Sequence, residues 1–98
     1  MKRPKKLPHL DLLELCFTYN PTTGEFYSCA GNKVGKAGRN GQVYLYHGGS
    51  QFPAARVAWK LFYKKDPGDR YIEHINGCLQ DNRIENLRLK RRLSTKKQ

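Results

Sequence analysis

Apolar positions along the chain change period several times, and each change marks an element. Leu10, Leu13 and Phe17, with Leu12 and Cys16, recur at helical spacing, and Asp11 and Glu14 fall early in the segment, where a helix N-terminus favours acids. The Tyr19-Asn20-Pro21-Thr22-Thr23-Gly24 run then predicts a turn. Residues 25–29 and Val43-Tyr44-Leu45-Tyr46-His47 read as strands. After Gly48-Gly49 a third short strand runs through Gln51-Phe52, and the adjacent glycines suit the tight turn of a hairpin. Pro53 fits the first turn of a helix from 54 to about 63, with Val57, Ala58, Leu61 and Phe62 as its buried stripe and Trp59 as a core anchor. Residues 65–69 end that helix. Ile72, Glu73 and His74 have the period of a strand, Asp81 or Asn82 can cap a helical turn through Glu85, and Leu87-Arg88-Leu89 alternates as a returning partner strand.

The elements predict an α+β fold in one small domain: an N-terminal helix, short antiparallel β-hairpins, a central helix and a C-terminal two-stranded unit. With 98 residues the chain can bury only a limited core. Residues 1–8 read as a basic arm, 9–64 as the scaffold, 70–93 as the segment carrying the chemistry, and 88–98 as a basic tail. No apolar run approaches the length that spans a bilayer, so no membrane partner is expected. Residues 1–6 are basic but lack the apolar stretch of a secretory signal. Cys16, Cys29 and Cys78 are odd in number and widely separated, which fits buried free thiols in a reducing compartment and a cytoplasmic location. No Cys-x-x-Cys knuckle exists, and no structural zinc is expected.

Charge narrows the choice of partner. The net charge is +11, and ten of the nineteen basic residues lie in the two ends, among them Lys2, Arg3, Lys5, Lys6, Arg88, Lys90, Arg91 and Arg92. Two polybasic flanks on a nearly neutral body point to a polyanion, with solubilising tails as the plainer alternative. The glycine-rich run 30–41 spaces Lys33, Lys36 and Arg39 like phosphate contacts, or is simply a long hairpin loop. It is not a Walker loop, because its Gly-to-Gly-Lys gap is one residue short and Ala37 replaces the hydroxyl residue. Arg56 and Arg83 complete the set of candidate nucleic-acid contacts.

The chemistry concentrates in Glu73-His74-Ile75-Asn76-Gly77 and Asp81-Asn82-Arg83-Ile84-Glu85-Asn86-Leu87. Phosphodiester hydrolysis needs a base for water and a cation for the growing charge. His74 is the one imidazole in the cluster and can serve as that base, and Glu73 offers a hard oxygen for Mg²⁺ or a similar divalent cation. This ordered pattern resembles the HNH endonucleases of phage and homing type, and the likeness extends upstream through residues 19–26 and 55–59. The resemblance implies that His74 is the general base, that Asn86 fixes its orientation, and that Glu73 binds the metal. The second metal ligand would fall on a helix at the position of Thr95, whose hydroxyl is a poor ligand, and most of that last helix is expected to be lacking. Ala55 stands where relatives commonly have His.

Two functions follow from the resemblance. One is metal-dependent cleavage or nicking of double-stranded DNA. The other is a catalytically inactive binding module of HNH descent, such as a phage-encoded inhibitor of a host nucleic-acid-handling complex, acting in the host cytoplasm. A basic RNA-binding protein accounts for the tails and for Tyr44 and Tyr46, but leaves the run from Glu73 to Asn86 without a cause.

Overall fold

A computed structural model describes residues 6–68 and 70–90. Helix α1 (Leu10–Cys16) runs directly into β1 (Phe17–Tyr19), followed by β2 (Phe26–Ser28), β3 (Lys33–Val34), β4 (Lys36–Ala37), β5 (Val43–His47) and β6 (Ser50–Pro53). Helix α2 (Ala54–Tyr63), β7 (Tyr71–His74), a 3₁₀ turn (Ile84–Asn86) and β8 (Leu87–Lys90) complete the order. The strands form three antiparallel sheets, β1-β2-β3, β4-β5-β6 and β7-β8, so the class is α+β.

The sheets share one core because α2 lies against several of them. Ala54, Val57, Ala58 and Leu61 are buried along its inner face, and they meet Leu13 of α1, Phe17 of β1, Phe26 of β2, Leu45 of β5, Phe52 of β6 and Leu87 of β8. Small residues at Ala54, Ala55 and Ala58 let the helix approach closely, while the volume is filled by rings and leucines from the strands. Pro53 precedes the helix with φ −59°, as its ring requires, and Lys64 ends it in the left-handed conformation at φ 59°. The Lys64 ammonium then reaches Glu14 at 2.6 Å, tying the end of α2 to α1.

Several expectations need correction. The run 30–41 is not one open loop, since β3 and β4 occur within it and join different sheets. Phe62 is 43% exposed rather than part of the buried stripe. Trp59 packs against the core but is only half-buried. Neither Asp81 nor Asn82 caps a helix, because the 3₁₀ turn starts after Arg83 and has no side-chain cap. The thiols are not buried: Cys29 and Cys78 are exposed and Cys16 is intermediate, 3.6 Å from His47 Nδ1. Among the described residues no helix is long and apolar enough to cross a membrane.

Candidate active site

The β7-β8 ribbon pairs Glu73 with Arg88 and His74 with Leu87. Successive strand side chains leave on opposite faces, so Glu73 and His74 point apart. On the outer face, Arg88 brings Nε and Nη2 within 2.9 Å of the same Glu73 oxygen. On the inner face, His74 lies on the side of Leu87, which is 4% exposed.

Residues 75–86 close the end of the ribbon with a network of amides. Asn86, 5% exposed, accepts the Asn76 N–H at 2.9 Å and donates from Nδ2 to Asn76 Oδ1 at 3.0 Å and to the Asp81 carbonyl at 2.9 Å. Asn76 Nδ2 donates to Asp81 Oδ2 at 2.9 Å, and Arg83 grips both Asp81 oxygens at 2.8 Å. Arg83 holds the Asp81 carboxyl far below the usual carboxylate range, with the bond from Asn76 acting in the same direction and burial opposing. These bonds join the turn after β7 to the chain entering β8.

Asn82, 2% exposed, turns inward from this loop and places Oδ1 2.8 Å from His74 Nε2. A carbonyl-type oxygen only accepts, so Nε2 carries the proton and the Nδ1 lone pair is left to take one. Asn82 is in turn held by the first part of the chain. The Tyr19 hydroxyl donates to the Asn82 carbonyl, and Ile84 N–H donates to the Pro21 carbonyl at 3.0 Å. Gly24, at φ +81°, lies so close that a Cβ would stand 2.6 Å from Arg83 N and 2.7 Å from Asn82 C. Burial pushes the Tyr19 phenol up, and the charges of Tyr63 and Asp81 add to the effect, so it remains a donor over the neutral range.

The predicted site residues therefore separate. His74 is positioned, but by Asn82 rather than by Asn86, whose amide is fully engaged in the loop. Asn82 entered the sequence reading only as a helix cap, and its signal was its place within the same cluster of amides. Arg56 is not a surface contact: it is 7% exposed and donates to the carbonyls of Arg70, at 2.7 Å, and Gly68. Lys33 pairs with Glu25 at 3.0 Å, and Arg83 with Asp81 and Glu85. Lys6, Lys36, Arg39 and Lys90 are exposed. Lys2, Arg3, Lys5, Arg91, Arg92 and Thr95 lie outside the described residues.

A divalent cation fits this donor set poorly. Glu73 is on the face opposite His74 and already ion-paired, while the Asp81 carboxylate is satisfied by Arg83 and Asn76. Among the described residues no group of three or more His, Cys, Asp or Glu is arranged to hold a metal ion.

The ribbon is thus closed by an amide-stapled loop and carries on its inner side an imidazole whose Nε2 meets Asn82 Oδ1. Residues 53–97, from the head of α2 through the loop and β8 onward, match the family model described as HNH endonuclease. No curated protein and no solved structure matches.

Proposed function

We propose that this protein acts on the phosphodiester backbone of double-stranded DNA, with His74 as the base that takes a proton from attacking water. The observation that carries this reading is the His74–Asn82 bond, which leaves a free lone pair on the ring. Asn82 acts as a positioning residue, and the Asn86 network keeps the loop in place. Exposed cations such as Lys36, Arg39 and Lys90 supply phosphate contacts, so affinity falls steeply with salt. The test is incubation of supercoiled plasmid with the protein and Mg²⁺ or Mn²⁺, against His74→Ala and an EDTA control. Nicking by wild type that the variant lacks supports the reading. Plasmid that is shifted on a gel by wild type but never relaxed with any divalent ion contradicts it.

One observation favours a second reading, an HNH-derived module that binds nucleic acid without cutting, for example to block a nucleic-acid-handling complex. It is the place of Glu73 on the strand face opposite His74, where the expected metal-binding carboxylate pairs with Arg88. The pair itself is exposed and contributes only about 0–1 kcal/mol, and the ordered His74–Asn82 contact keeps cleavage as the first reading.

A further inference from the structure

A cleft of about 570 Å³ opens between the end of α2, residues 65–68, Arg70 and β8, on the part of the molecule that the proposed chemistry does not use. Its apolar wall is Trp59, Tyr63 and Leu89, and its rim carries Lys65 and Arg70. Trp59 and Tyr63 are one helical turn apart, with ring centroids at 4.3 Å, and Phe62 meets Tyr63 edge-on at 4.9 Å. Tyr63 is nonetheless 47% exposed and Trp59 half-buried, so ring surface faces the opening.

The rim is built rather than loose. The buried Arg56 guanidinium holds the carbonyls of Gly68 and Arg70, Gly68 N–H donates to Asp66 Oδ1 at 2.7 Å, and Pro67 is buried. Lys60 neutralises Asp66 across 3.3 Å. Lys65 and Arg70 are exposed and have no ion-pair partner among the described residues, so the described rim of the cleft carries two cations.

We infer that this cleft takes one unstacked nucleobase against Trp59 and Tyr63, with the adjoining phosphate on Lys65 and Arg70. Aromatic faces accept any base, and the two cations match the charge that every nucleotide carries beside its base. An aliphatic occupant would leave the cations without a role. Leu89 lies on the same face of β8 as Leu87, the partner of His74, and two residues away, roughly 7 Å along the strand. A base held here runs its strand alongside the imidazole. The inference rests on the reading of a nucleic-acid partner, but not on cleavage.

Trp59 is the only tryptophan in the chain, so it reports its own occupancy. The full protein, in EDTA, is titrated with 5′-phosphorylated tetrathymidylate, with an abasic tetramer of equal phosphate count, and with a glutamate oligomer, while indole emission is read. The expected result is saturable quenching by the thymidylate alone, with affinity weakened about tenfold by Tyr63→Leu and by the double variant Lys65→Ala, Arg70→Ala. Equal quenching by the abasic tetramer or by the glutamate oligomer overturns the inference, as does wild-type affinity in both variants. A parallel gel shift with duplex DNA separates the two claims. Duplex binding with indole emission indifferent to bases removes the cleft and leaves the proposed function standing, whereas base-dependent quenching without plasmid nicking does the reverse.

Discussion

His74 Nε2 and Asn82 Oδ1 stand 2.8 Å apart, joining the last residue of β7 to a side chain eight positions further on. The neutral amide fixes the ring without adding charge. Replacement by Asn82→Asp puts a carboxylate there, which favours the imidazolium over the neutral ring. The unprotonated base is then less available at neutral pH, so the acid limb of the nicking profile moves upward. Asn82→Leu removes the acceptor and lowers nicking roughly tenfold or more at every pH, because the ring is no longer oriented. A pH–rate profile of the two variants beside wild type checks both, and an unmoved acid limb in Asn82→Asp contradicts the assignment.

The turn 20–25 serves as the floor under Asn82. Gly24→Ala forces a Cβ into the Asn82–Arg83 backbone from a left-handed conformation. A loss of about 2–3 kcal/mol is expected in urea unfolding, together with a fall in nicking. Gly48→Ala is the control, since Gly48 also has positive φ but nothing lies within 4 Å of its Cβ position. It carries the conformational cost alone, about 1–2 kcal/mol, and leaves nicking unchanged.

Much of this arrangement was legible in the sequence. The period of Leu10 and Leu13 foretold α1, although Phe17 falls in β1 instead; Gly48-Gly49 between two alternating runs foretold the β5-β6 hairpin, and Pro53 marked the head of α2. What was not legible depends on which way side chains turn within irregular chain. Asn76, Asn82 and Asn86 are equivalent as letters, and only the path of the loop makes Asn82 the partner of His74. Arg56 looked like a surface cation because a lone arginine in a helix usually is one. Carbonyls of the connection after α2, twelve and fourteen residues away, gave it a buried role that no local pattern records. The opposite facing of Glu73 and His74 was legible from strand period alone, whereas the pairing of Glu73 with Arg88 depends on the register of β8.

Asn86 is expected to matter for folding more than for proton transfer. Asn86→Leu leaves the Asn76 N–H and the Asp81 carbonyl without their partners, at about 1–3 kcal/mol for each buried group that stays unsatisfied. Thermal denaturation reports the loss. At temperatures where the variant is still folded, nicking falls less than in Asn82→Leu, and the opposite order restores Asn86 as the residue that orients the base.

Acid stability follows from Asp81. Arg83 depresses its folded-state pKa, so the stabilisation is complete above the unfolded value, near pH 3.9, and is lost as pH falls below it toward the folded value. Asp81→Asn is expected to be less stable than wild type at neutral pH and to show a flatter decline below about pH 4. Urea midpoints measured from pH 7 downward test this, and parallel curves for the two proteins contradict it.

The proposed chemistry depends on which nitrogen of one ring carries the proton, which ¹⁵N imidazole shifts read directly. At a pH above the histidine titration, His74 in the folded protein is predicted to be the Nε2–H tautomer, and to lose that preference in Asn82→Leu. A His74 protonated on Nδ1, or averaging between tautomers as a free imidazole does, contradicts the claim that Asn82 holds the ring with a lone pair available for water.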